Sequence, residues 1–437
     1  MFTTLKNAWK IPDIRKKILY TLLILFIVQV GSVIPVPFMD PTSLQNMISQ
    51  NGNLLGYLDI LTGGAFANAT LFALSISPYI TASIVIQLLT IAIPALERMA
   101  KEGEEGRKQI QKINRYTTVG LSVLEAVAYY IMFRKTAGAL TYTDGFEGVL
   151  AALTIITCFT AGSMLIVWLG ERIDAKGIGN GISLILFAGI VSRGPHALAK
   201  MWTYIQFAQT GETQYYFFVP LVIVLFIFLI GFIVVMTTAE RRIPVQYAKR
   251  VVGRKVYGGQ STHIPIKVNM SGVLPIIFAS AFLSIPGTIR GFVYANPTAE
   301  TTQKLGYKLL SLFNYNTWVY ALLYFVLIIA FNYFYIAVQY NPVEIANNLR
   351  KNSGAIPGIR PGKPTSDFIS KTISKINLVG ALFLAVVAIL PIALGAIANM
   401  NIALGGTSII IVVGVALDTV RSLESQMMMR HYKGFLE

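Results

Sequence analysis

Residues 56–89 read GYLDILTGGAFANATLFALSISPYITASIVIQLL. The first half of this stretch is apolar enough to enter a membrane, yet it carries Asp59, Gly63, Gly64 and Asn68. Whether that half crosses the membrane decides the side on which every later segment lies, and so the topology of the chain.

The surrounding sequence has 437 residues, 54% hydrophobic and 13% charged. That balance belongs to an integral membrane protein, because a soluble domain of this size needs far more charge on its outside. Apolar windows near the ~20 residues required to cross ~30 Å of hydrocarbon occur at about 18–36, 71–93, 116–133, 149–169, 177–192, 215–236, 270–289, 318–338, 377–398 and 402–420. They predict ten spans, numbered here in chain order. The first window follows five basic residues but is too long for a signal peptide and ends in IPVP without a small-residue cleavage site, so it is read as retained.

All 36 Lys and Arg residues fall between or at the ends of these windows. With a cytoplasmic N-terminus, 29 lie inside and 7 outside, the positive-inside distribution; it also accounts for most of the net charge of +16 without nucleic acid. If residues 54–66 were an eleventh span, the tally would become 12 inside against 24 outside. The segment is also only ~20 Å long as a helix, too short to cross. It is therefore read as an apolar excursion that enters from the outside and returns there, protected by surrounding protein or a watery cavity.

Ten spans divide into two sets of five, and an odd number per set requires any repeat to be inverted. Span 5 contains GISLILFAG (residues 181–189) and span 10 contains GTSIIIVVG (residues 406–414), sharing Gly-x-Ser-x5-Gly, while spans 2 and 7 carry Pro78 and Pro275. Gly- or Pro-interrupted segments at matching places in inverted halves point to a transport pathway, although many glycines in apolar sequence also match by chance. The aliphatic residues beside these small ones fit either close helix packing or a greasy constriction that excludes water.

Only Glu125 and Asp418 are acidic within or at the edge of a span, which disfavours an ion-coupled transporter. One cysteine, Cys158, rules out a disulfide framework or a Cys-based metal site, and His196, His263 and His431 are too scattered for a metal cluster. GIRPGKPT contains Gly362-Lys363, but the preceding Pro357 stands where a phosphate loop needs its first Gly and Pro364 where it needs Ser or Thr. No cofactor, metal or enzymatic activity is expected.

Two basic segments of about 30 residues, 240–269 and 341–376, are long for cytoplasmic loops. They read either as a platform for an acidic or phosphate-rich partner, with Arg241, Arg242, Lys249, Arg250, Arg254, Lys255 and Arg360 as contacts, or as a face that meets anionic lipid.

Over essentially its whole length the chain resembles the SecY family of bacterial protein-conducting channels. The matching stretches include GSVIPVP, LTGGAF, SISPYITASIVIQLL, AKEGEEGRKQI, GIGNGISLILFAGIV, YAKRVVGRKVYGGQSTHIPIKVN, GVLPIIFAS, NPVEIANNL, PGIRPGKPT and GGTSIIIVVGVALD. Leu186 stands where an isoleucine is often found, which keeps the aliphatic chemistry.

The resemblance implies an all-α polytopic fold of ten transmembrane helices in two inverted halves, 1–193 and 194–437, around an hourglass pore. It places a pore ring on Ile76, Ile80, Ile182, Leu186, Ile277 and Ile411. Ile80 and Ile277 each follow their proline by two residues, and Leu186 and Ile411 share one place in Gly-x-Ser-x5-Gly. It makes residues 54–66 a plug, with Leu58, Asp59, Ile60, Leu61, Gly63, Gly64 and Phe66 in it, and Leu58, Ile60, Leu61 and Phe66 resting on Ile76 and Ile80 when shut. It places a lateral gate on Ser77, Pro78, Thr81, Ile84, Gln87, Pro275 and Phe278. It further implies SecE and SecG as membrane partners, and the SecA motor or the ribosome on the basic loops, chiefly at Arg254 and Arg360. The substrates would be signal sequences and unfolded preproteins, and the location the bacterial plasma membrane with both termini cytoplasmic. The competing readings are a secondary transporter for a small solute and a passive scaffold for a motor.

Overall fold

The computed structural model describes residues 2–45, 64–135, 138–247, 250–252, 255–257, 261–293, 305–313, 317–398, 400 and 406–433. Each predicted span overlaps a described helix. An N-terminal helix α1 (Phe2–Lys10) precedes α2 (Pro12–Gly31), which is span 1. Span 2 is α3 (Ser77–Ala92), which meets a short α4 (Pro94–Lys101) at a bend of 101°. Spans 3 and 4 are α5 (Glu104–Lys135) and α6 (Gly145–Lys176). Span 5 is the 12-residue α7 (Gly181–Ser192), continued after Arg193 by α8 (Gly194–Gln209), and span 6 is α9 (Tyr215–Thr238).

The segment after span 6 departs from the sequence reading, which treated it as loop. It folds into strands β1 (Glu240–Tyr247), β2 (Arg250–Val252), β3 (Lys255–Tyr257) and β4 (Ser261–Lys267). β1 and β4 pair antiparallel, with Ile243 opposite Ile264, and β2 pairs with β3. The signal was present in ERRIPVQY, where buried Ile243 and Val245 alternate with exposed Arg242, Pro244 and Gln246 at the period of a half-buried strand.

Span 7 is α10 (Leu274–Val293), followed by the short α11 (Leu305–Ser311), and span 8 is α12 (Trp318–Gln339). Helix α13 (Pro342–Lys351) begins the second basic segment, and strand β5 (Gly354–Ala355) joins the far edge of β1. Spans 9 and 10 are α14 (Lys363–Ala398) and α15 (Gly406–Lys433). Among the described residues, seven helices are long and apolar enough to cross a membrane, and the bent pair of α3 and α4 passes the same test together.

Span 2 also starts later than its hydropathy suggests. Residues 64–76 form a succession of buried turns, and helix begins only at Ser77, with Pro78 in the first turn, where the missing N–H costs nothing. The turns are pinned to the end of span 1: Val36 N–H donates to the Ala69 carbonyl at 2.9 Å and Leu71 N–H to the Ile34 carbonyl at 3.0 Å.

Four packed cores matter for function. One joins α9, α10, α12, α14 and α15 around Ile276, Tyr324, Leu384 and Ile410. A second joins α5 and α6 with the turns before α3, around Phe66, Phe133 and Phe159. A third gathers α2, α6, α7 and α15 around Ile76, Leu186 and Ile411. The fourth, of Ile243, Val245, Ile266, Leu349, Ile356 and Ile369, binds the strands to α13 and α14. Glycines set the close approaches in the membrane, where apolar burial drives little association and tight backbone contact matters more. A β carbon on Gly162 of α6 would overlap the Leu71 carbonyl.

Candidate functional site

The irregular spans meet in one seam. Ile76, Leu186 and Ile411 are buried at 0%, 8% and 3% exposure in the third core, with Ile80 and Ile182 packed on its edge. Ile277 is half-buried and lies with Leu186 and Ile411 on the wall of a cavity of about 570 Å3. That cavity is lined by Ile410, Gly414 and Val415 of α15 and by Ile264, Ile266 and Lys267 of β4; Asp418 and Arg421 also reach it. The six predicted ring residues are thus brought together by four spans, five within one apolar core and the sixth on the cavity beside it.

Two glycines hold the ring helices in place, and they are the first residues of the two matching motifs. A β carbon on Gly181 would overlap the Gly170 carbonyl of span 4, and one on Gly406 would overlap the Val387 carbonyl of span 9. Span 5 therefore rests on span 4 as span 10 rests on span 9. The start of α7 is further fixed by Asn180, whose side chain accepts from Ser183 N–H at 3.0 Å, and by Asp174, which accepts from Gly181 N–H at 2.7 Å.

Leu58, Asp59, Ile60, Leu61 and Gly63 lie outside the described residues, whereas Gly64 and Phe66 lie within them. Phe66 corrects the sequence expectation. Its ring does not join Ile76 and Ile80 but packs at 5.1 Å from Tyr129 and 6.0 Å from Phe133, in the core of spans 3 and 4. The turns that follow aim it there, and aromatic contacts of this kind contribute about 0.5–1.5 kcal/mol each beyond area burial. Phe66 is an anchor for the root of the segment.

At the predicted gate, Ser77, Thr81, Ile84 and Gln87 are half-buried on α3, while Pro78, Pro275 and Phe278 are buried. Gln87 lies near the Tyr335 side chain of span 8, so span 2 approaches the second set of helices there. Phe278 turns instead to span 8, edge-on to Phe331 at 5.9 Å. Tyr335 and Phe331 had no signal in hydropathy, since both read as ordinary residues of an apolar helix.

On the strand side, Arg241, Arg242 and Arg360 are exposed, and Arg242 pairs with Glu240 at 2.7 Å. Arg250 and Lys255 stand on the paired strands β2 and β3, and Lys249 and Arg254 lie outside the described residues. Thr365 donates to the Arg360 carbonyl at 2.8 Å, fixing the backbone of the turn that presents it. Among the described residues no group of three or more His, Cys, Asp or Glu is placed to hold a metal ion.

Apolar helices bundled around an aliphatic seam, with a cavity open beside it and a basic strand platform, define a polytopic membrane channel. The SecY family model matches residues 70–420. Protein translocase subunit SecY of Streptomyces coelicolor is 41% identical over 459 residues, covering 100% of both chains, and that of Thermotoga maritima is 41% identical, covering 100% of this chain and 98% of the relative. The chain belongs to the SecY family.

Solved structures share the fold. One described as the structure of a protein conducting channel superposes with a TM-score of 0.65 at 19% identity, covering 94% of this chain and 92% of the other. A second, concerned with the plug domain of SecY in the closed state, gives 0.62 at 19% identity over the same shares. Sec61 in the canine ribosome-channel complex gives 0.61 at 17% identity, covering 94% and 92%.

Proposed function

We propose that this chain is the pore-forming subunit of a protein translocase, a channel that passes unfolded secretory polypeptides across the membrane and releases hydrophobic segments sideways into lipid. The observation that carries this reading is the convergence of Leu186, Ile277 and Ile411, from three spans, on the wall of one cavity of about 570 Å3. A pore for chains of any sequence must seal without holding its cargo, and short aliphatic side chains do both, since they form no fixed hydrogen bonds and exclude water when the chain is absent.

In this reading Ile76, Ile80, Ile182, Leu186, Ile277 and Ile411 are the constriction and residues 54–66 the plug above it, rooted at Gly64 and Phe66. Residues 1–193 and 194–437 are two inverted halves, supported by the matched contacts of Gly181 and Gly406. The gate opens between α3 and α10, and Gln87 of α3, which lies near Tyr335 of the adjoining α12, must move with it. Signal sequences enter there.

Exposed Arg241 and Arg360, with the basic residues around β2 and β3, form a cytoplasmic surface for an acidic partner, SecA or the ribosome, and for anionic lipid. SecE and SecG complete the complex in a bacterial plasma membrane, with both termini cytoplasmic as the charge tally requires. A small-solute transporter is the weaker reading because the spans carry so few ionisable groups.

The test is reconstitution of the chain with SecE and SecG in vesicles, with SecA and ATP outside. A preprotein should become protease-protected in proportion to channel content. Protection that is equal in vesicles lacking the chain sinks the reading.

A further inference from the structure

The segment that enters α10 is fastened to three other helices. Val268 N–H donates to the Ala239 carbonyl at the end of α9, at 2.9 Å. The Val268 carbonyl lies against Gly380 of α14, where a β carbon would overlap it. The Ser271 hydroxyl donates to Asn332 Oδ1 of α12, and Asn332 Nδ2 donates to Asn377 Oδ1 of α14 at 2.6 Å. Asn332 and Asn377 are each 1% exposed and Ser271 4%. Gly272 follows at φ 64°, and α10 then carries Ile277 to the cavity wall.

Most of the other described contacts between α10 and α12 are between apolar side chains and rings. Ile276, Ala279 and Leu283 pack in one core with Tyr320, Tyr324 and Ile328. The Phe331 ring meets both Phe278 at 5.9 Å and Phe282 at 6.4 Å, one helical turn apart. In lipid such a face has little to choose between neighbouring registers, because hydrocarbon tails are as apolar as the side chains themselves. A slide of one turn, ~5.4 Å, would put Phe282 where Phe278 meets Phe331, exchanging one ring for another. Buried amides differ, since their donors and acceptors find partners in one register only, and fixing register is the best-attested use of such groups.

We propose that Asn332 and Asn377, acting through Ser271, are positioning residues that set the axial height of α10 and thereby place Ile277 beside Leu186 and Ile411. The consequence for the seal rests on the channel reading above; the register itself does not.

The experiment uses the full chain with its partner subunits in membranes, with Cys158→Ser to remove the native thiol. Phe331→Cys is combined in turn with Phe282→Cys, with Leu274→Cys and with Ile285→Cys, the last two being positions that reach residue 331 only after a slide. On oxidation, the parent should cross-link 331 to 282 and not to 274 or 285. With Ser271→Ala or Asn332→Leu, cross-links to 274 or 285 should rise several-fold, and Ser271→Thr, which keeps the hydroxyl, should retain the parent pattern. An unchanged pattern with both Ser271→Ala and Asn332→Leu overturns the proposal.

Resting ion conductance is measured on the same samples, with Ile277→Asn as reference. Spread cross-links without added leak would overturn the link from register to ring. If Ile277→Asn itself does not leak, the channel reading fails while the cross-link pattern still decides the register.

Discussion

The guanidinium of Arg193 lies against Gly64: a β carbon there would stand 2.7 Å from Arg193 Nη2 and 2.8 Å from its Cζ, on a backbone with φ of 93°. Arg193 caps the end of α7, the helix that carries Ile182 and Leu186. The root of the proposed plug therefore touches the helix that supplies two residues of the proposed ring.

Gly64→Ala should unsettle the closed channel. The left-handed backbone alone costs an L residue about 1–2 kcal/mol, and the contact with Arg193 adds to it. Resting conductance in planar bilayers should rise, and Arg193→Ala in the same chain should relieve only the steric part. A Gly64→Ala channel as tight as the parent would remove the root from the closure mechanism.

Ile80→Asn and Ile277→Asn should each make the resting channel leak ions, because an amide holds water where an aliphatic wall excludes it. Leu186→Ile should leave conductance unchanged. The measurement is single-channel recording without substrate, and silence from both Asn variants would take these residues out of the ring.

Gly181→Ala and Gly406→Ala should each destabilise the chain by about 1–3 kcal/mol, as overpacking against backbone that cannot yield. Gly170→Ala meets chiefly the flexible end of Ile182, 2.8 Å away, and should cost less. Gly120→Ala, with nothing within 4 Å in the middle of α5, serves as the control without overpacking and should if anything stabilise the helix. Thermal unfolding in detergent reads the order, and a Gly406→Ala chain as stable as Gly120→Ala would contradict the matched packing of spans 5 and 10.

Arg360→Glu should lower SecA-driven translocation several-fold and flatten its salt dependence, while insertion of the chain into the membrane is unaffected. Arg242→Ala should have a smaller effect, because that guanidinium is already tied to Glu240. Translocation at the parent rate with Arg360→Glu would exclude that side chain from docking.

The apolar helices were legible in the sequence because a hydrocarbon layer asks a simple question of each segment: length, apolarity and absence of charge. The strand β1 was legible too, in the alternation around Ile243 and Val245, but was obscured by the charge that made the segment look like loop. The pairing of Gly181 with Gly406 could be suspected from their motifs, yet the carbonyls they rest on, at Gly170 and Val387, lie on other spans and leave no mark in either motif.

By itself, then, the sequence determined the membrane class, the placement of the spans and the family, all of which follow from one-dimensional pattern. Only the tertiary structure decided that Phe66 anchors on Tyr129 and Phe133 instead of the ring, that Gln87 meets Tyr335, and that Ser271, Asn332 and Asn377 form one buried chain. The physical reason is that hydropathy scores each residue against lipid, whereas these contacts depend on which faces of distant helices meet, and at what height.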